Sequence, residues 1–126
     1  MSETSRNLRG VKILACSPDG KKLRTDRDAV ELIGEAYEHE ALWIVIPAER
    51  FEDAFFQLHT RIAGEIIGKF AVYKMRVAIV GDISRHTEES SSLRAFVYES
   101  NRGDQVWFLA SMEDLGSRLE AQRATA

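Results

Sequence analysis

The chain has 126 residues, of which 44% are hydrophobic and 29% charged, with a formal charge of −3. That length fits one compact domain rather than two, and the apolar share is enough for a single core. The negative balance speaks against nucleic acid as a partner, no run approaches a bilayer span, and the polar start MSETSRNLRG lacks the apolar centre of a secretion signal, so a cytoplasmic protein without a membrane partner is expected.

Residues 11–17 (VKILACS) have the character of a strand. Pro18, Asp19 and Gly20 are turn formers, so a hairpin to a short strand at residues 22–24 is expected. The basic run KKLR is followed by Asp26 and Asp28 and reads as a solvated turn. Cys16 sits in the apolar run and reads as a buried, reduced thiol. Thr25 can cap a helix with Asp26 and Asp28 in its first turn, ending near Glu40. Ala29, Leu32, Ile33, Ala36 and Tyr37 fall at helical spacing along it.

LWIVIP, residues 42–47, is apolar throughout and stopped by proline, which reads as a strand buried on both faces. A long helical pattern follows through Phe51, Phe55, Leu58, Ile62, Ile66, Phe70 and Tyr73. One helix, or two joined near Thr60, satisfies it. RVAIV, residues 76–80, is a second buried strand closed by Gly81 and Asp82. The polar segment ISRHTEESSS reads as a loop running into a helix that starts at Thr87 and stops at Asn101 and Gly103. QVWFLA, residues 105–110, is the next strand. Ser111 caps a last helix carrying Met112, Leu115 and Leu119.

The order is β-β-α-β-α-β-α-β-α, an α/β domain with a mixed, mostly parallel sheet. The ordered core is expected over about residues 8–120, within a single domain of residues 1–126. The polar N-terminus and the tail AQRATA are expected to fray.

In open α/β sheets ligands bind beyond the carboxyl ends of the strands. Glu49, Arg50, Asp82, Arg85 and His86 fall there and form a candidate rim for a ligand or partner. Arg50 or Arg85 suits a planar anionic group, and Asp82 could orient it. An enzyme would need a pair such as Asp82 with His86 for acid–base work, and their spacing in sequence permits it. His39, His59 and His86 show no metal spacing, no G-x-S-x-G elbow occurs, and no G-x-G-x-x-G follows a strand. No catalytic residue, metal or cofactor is therefore implied.

HTRIAGEIIGKF, residues 59–70, holds two glycines inside helical periodicity, each costing about 1 kcal/mol relative to alanine. Its Gly-Lys is no phosphate loop, because three residues separate the glycines and Phe70 follows the lysine. Thr60, Gly64 and Gly68 form one stripe beside the apolar arc. Small residues there suggest close approach of another backbone, from this chain, a second copy or another protein. Thr60 could carry a phosphate if a helix begins there.

FFQLHTRIAGEIIGKF, AIVGD and LRAFVYESNRG resemble an uncharacterised bacterial family, the domain of unknown function numbered 4180. The resemblance spans about residues 11–119 and implies no activity. At the level of fold the element order is similar to STAS domains, such as anti-sigma-factor antagonists, which implies action through protein–protein binding. The antagonists carry a phosphorylatable serine, in an Asp-Ser-x-Gly type motif, at the start of the helix after the central strand. Here that region reads FEDAFFQLHTRIAG, and only Thr60 could take the serine's place. The reading that results is a non-catalytic regulatory or interaction module with a protein partner or a second copy. A sensor of a small anionic metabolite is the alternative, and an enzyme the third.

Overall fold

The computed structural model describes residues 3–125, so Met1, Ser2 and Ala126, the extremes of the expected domain, lie outside the described residues. The chain opens on a hairpin of β1 (Glu3–Leu8) and β2 (Val11–Cys16), antiparallel, with Leu8 opposite Val11. Arg9 and Gly10 link them, both at positive φ (52° and 85°). That is the pattern of a two-residue turn whose twist matches the strands. The Asn7 side-chain oxygen accepts the Gly10 N–H at 2.9 Å.

The hairpin thus lies upstream of its expected place, and residues expected to fray form a strand. ETSRNL offers no apolar alternation, because β2 and the layers around it supply the buried surface. The Pro18–Gly20 turn leads instead into an extended segment where Leu23 makes only an isolated bridge to Phe51.

Thr25 caps α1 (Asp26–Glu38) through a reciprocal box with Asp28, as its sequence predicts. β3 (Trp43–Pro47), β4 (Arg76–Val80) and β5 (Val106–Leu109) then add in turn, all parallel to β2. Among the described residues the sheet is five-stranded, in the order β1-β2-β3-β4-β5.

Between β3 and β4 the long helical pattern is broken. A tight turn (Ala48–Arg50) precedes α2 (Asp53–Phe56), and a second (Leu58–Thr60) precedes α3 (Ile62–Val72). Arg61, at φ 67°, makes the break between that second turn and α3. The break folds Phe51, Phe55 and Phe56 onto one another, with ring centroids 4.1 and 5.0 Å apart for successive pairs.

After β4, α4 (Ser84–Glu89) begins three residues before the expected start. A separate helix, α5 (Ser91–Arg102), follows, its Leu93 N–H accepted by the Ser90 hydroxyl. α6 (Met112–Thr125) starts at the predicted Ser111 cap. It stays helical through the tail expected to fray, and Arg123 donates to the Arg9 carbonyl at 2.7 Å.

Successive neighbouring strands joined by right-handed crossovers place their helices on one face of the sheet. Accordingly α1, α3 and α5 pack over Leu14, Ile44, Ile46, Val77, Ile79 and Phe108. α6 packs on the opposite face over Val11, Ile13, Trp43, Val45, Ala78 and Trp107. The two tryptophans fill that more thinly covered face, 4.3 Å apart, and the Arg118 guanidinium lies 3.9 Å over Trp107.

Candidate functional site

The carboxyl ends of β3 and β4 lie side by side, Pro47 paired with Val80. The turn after β3 and the loop after β4 touch closely. A Cβ on Gly81 would stand 3.0 Å from the Ala48 Cβ, and its φ of 144° is a conformation side chains rarely adopt. Gly81 therefore lets the two loops meet and brings Glu49 beside Asp82.

A cavity of about 640 Å³ opens there, and Glu49, Asp82, Arg85 and His86 line it together with Lys22 and Asp53. Four of the five rim residues read from the sequence converge on one place. Their chemistry differs from the expectation in two respects. Arg85 is engaged by Asp53 at 2.8 Å, and this hydrogen bond, then the charge, holds the Asp53 carboxyl below its usual range. Asp82 accepts the Ser84 N–H at 2.9 Å, and the Ser84 hydroxyl and amide lower its carboxyl likewise.

His86 stacks flat on Phe56, centroids 4.2 Å apart at 14°, with only 14% of its side chain exposed. Burial, then the Arg85 charge, pushes its pKa below 6.5, against opposing pulls from Asp53 and Glu89. The imidazole is therefore neutral at pH 7. Its nearest ion-pair partner is Asp53, at 3.9 Å, not Asp82. The acid–base pair suggested by sequence spacing thus shares a cavity without being joined.

Arg50 takes no part in the cavity. It is 3% exposed and turned toward the sheet edge. Its Nε donates to the Lys21 carbonyl at 2.6 Å. Its Nη1 donates to the Ser17 carbonyl and to the Glu3 carboxylate, each at 2.9 Å. This cation pins β1 and the β2–α1 loop to the turn after β3, so it is not available to an anion at the rim. Cys16 lies close by, and burial, then the Glu3 charge, pushes its thiol up to about 12. At neutral pH it is an unreactive thiol.

The glycine stripe has a clear geometry. A Cβ added at Gly64 or at Gly68 would meet nothing within 4 Å. Close packing within the chain is therefore not what the two glycines serve. Gly34, on the neighbouring α1, likewise faces open space, a residue the sequence reading passed over. α1 and α3 lie against one another, tied where the Tyr37 hydroxyl donates to the Tyr73 carbonyl. Val72, 71% exposed, continues the stripe one turn beyond Gly68. Thr60 stands apart from this surface. Its hydroxyl faces the Ala54 and Gln57 carbonyls at 2.7 and 2.8 Å, closing the turn before α3. A phosphate there would break that closure.

Asp53 and Phe56 were also missed as cavity residues. In sequence they belong to the helical pattern, and only the break after Phe56 aims them at α4. No helix among the described residues is long and apolar enough to cross a membrane. Among them, too, no group of three or more His, Cys, Asp or Glu is placed to hold a metal ion. A family model described as a domain of unknown function, DUF4180, matches residues 8–119. No curated protein and no solved structure matches the chain.

Proposed function

The chain belongs to the DUF4180 family, and from that footing we propose that it is a non-catalytic interaction module whose contact surface is the outer face of α1 and α3. One observation carries the reading: Gly34, Gly64 and Gly68 all face open space. Each glycine costs about 1 kcal/mol in a helix, and nothing inside the fold asks for any of them. A partner lying directly on exposed helix backbone offsets that cost. Exposed Val72, Tyr37 and Tyr73 supply apolar contact at the end of the same face. The partner is a protein with a flat apolar surface. Gly64→Leu tests it. The variant keeps the monomer fold and loses partner capture from the native host's lysate, with Glu113→Gln, exposed on α6 across the sheet, as control. Equal capture by both variants overturns the assignment.

The assembled cavity favours a second reading, a small-ligand site. Glu49, Glu52, Asp53 and Asp82 line it with Lys22 and Arg85, and Arg24 pairs with Glu52 at 3.1 Å, which leaves one carboxylate in excess of the cations. A ligand bearing a positive group therefore suits it better than the anion suggested by sequence. A thermal-shift screen of small amines and amino acids tests this reading. Stabilisation that Asp82→Asn abolishes supports it, and no shift at millimolar ligand removes it.

A further inference from the structure

The two margins of the sheet are treated differently. On β5, Asn101 acts as a substitute strand: its side-chain oxygen accepts the Phe108 N–H at 2.7 Å, and its amide donates to the Phe108 carbonyl at 3.1 Å. That edge is closed to further pairing. On the other margin β1 pairs with β2 alone among the described residues. In a two-residue hairpin the residues flanking the turn form a hydrogen-bonded pair, and such pairs alternate along the strands. Leu8, Arg6 and Thr4 therefore bond inward to Val11, Ile13 and Ala15, while Ser5 and Asn7 aim their backbone N–H and C=O groups outward. β1 holds no proline or bulge that blunts an edge. Both ends are anchored, by Arg50 on Glu3 and by α6, where Glu120 pairs with Arg9 at 2.9 Å.

We propose that the open edge of β1 pairs antiparallel with β1 of a second copy, joining two five-stranded sheets into one across a two-fold axis at Ser5. The register follows from the strand itself. Outward residues must meet outward residues, so only shifts of two are allowed. With Ser5 opposite Ser5, the two residues exchange both backbone hydrogen bonds, and Thr4 lies opposite Arg6 in the close, non-hydrogen-bonded pairs. Shifting toward the turn places Arg6 opposite its own copy, a repulsive pair. Shifting the other way pairs Thr4 with its own copy and leaves only residues 3–5 of the described strand overlapping. Because the β5 edge is closed, pairing ends at two copies rather than growing into a fibre. This surface is separate from the α1–α3 face.

A contact one strand deep buries less than the roughly 1,600 Å² of a standard interface, so the association is weak. Sedimentation of the full chain up to millimolar protein, with amide exchange read at Ser5, tests it. Wild type dimerises with concentration, and the Ser5 N–H slows in step. Thr4→Glu, opposite Arg6 twice in the dimer, tightens association, and Thr4→Lys loosens it, with dissociation constants about tenfold apart. Thr4 is exposed, so both variants fold. A monomer at every concentration with constant Ser5 exchange overturns the proposal. So does a dimer equally tight in both variants, which assigns association to another surface.

Discussion

Alanine at Gly34, Gly64 and Gly68 turns the glycine observation into a number. Each lies inside a helix at ordinary helical φ, and the added methyl meets no atom within 4 Å. No clash offsets the gain, which comes from helix propensity and a less free unfolded chain. Each substitution stabilises the isolated protein by about 0.4–1 kcal/mol. Gly34 lies on a different helix from the other two, and Gly64 and Gly68 share no packed neighbour, so the triple variant gains about 1–3 kcal/mol. An unfolding entropy of about 2.1 cal/mol/K per residue, over this chain length, makes 1 kcal/mol worth about 4 °C in Tm. The triple variant should therefore melt about 5–12 °C above wild type in calorimetry at dilute protein. A fall in Tm for any single variant refutes the open-space geometry at that position. The same variants read function. A protein more stable yet poorer at capturing its partner has glycines kept for contact. A protein more stable and equally good at capture has glycines that serve no contact at all.

Three further outcomes follow from buried groups. Arg50→Ala leaves the Glu3 carboxylate and the Ser17 and Lys21 carbonyls without their donor, and urea unfolding should show a loss of about 3–5 kcal/mol, with β1 amides exchanging faster than those of β3. A loss under about 1 kcal/mol would mean that the pairing is no anchor. His86 has a folded pKa below its unfolded 6.5, so its neutral form favours the fold. Its contribution is present above pH 6.5 and is lost as pH falls toward the folded value. His86→Phe keeps the stack on Phe56 and should flatten the decline of Tm between pH 7 and 5; an unchanged slope assigns that decline elsewhere. Cys16, its thiol pushed up to about 12, should resist a thiol reagent at pH 7.5 until urea unfolds the chain; fast labelling of native protein would contradict its burial.

The apolar strands were legible in sequence because β3, β4 and β5 are buried on both faces, and continuous apolar runs have no other ready explanation. Caps were legible for a local reason: Thr25 and Ser111 bond within three residues of themselves. β1 was not legible. Its stability comes from β2, from Arg50 at position 50 reaching Glu3, and from α6 reaching Arg9 across 111 residues to Glu120. Nothing in ETSRNL announces those contacts. The break after Phe56 was hidden for the opposite reason. Phe51, Phe55, Leu58 and Ile62 keep helical spacing because every one faces the same core, whether or not the helix between them is continuous.

The candidate site divides along the same line. Sequence order placed Glu49, Asp82, Arg85 and His86 at strand carboxyl ends, and parallel pairing of β3 with β4 brings those ends together. It could not say which charges were already spent. Arg50 and Glu49 are adjacent in sequence, yet the tight turn they share sends Arg50 inward to three oxygens and Glu49 out to the cavity. Arg85 meets Asp53 only because α2 ends at Phe56 and presents Asp53 to α4. The cation count at the rim is thus set by three contacts distant in sequence, Arg50 with Glu3, Arg85 with Asp53 and Arg24 with Glu52. Neutralising one of them shows the coupling. Asp53→Asn frees Arg85 and removes one wall carboxylate. If the cavity takes cations, that substitution weakens binding and shifts preference toward anions, while Glu3→Gln, which leaves Arg50 buried, changes neither.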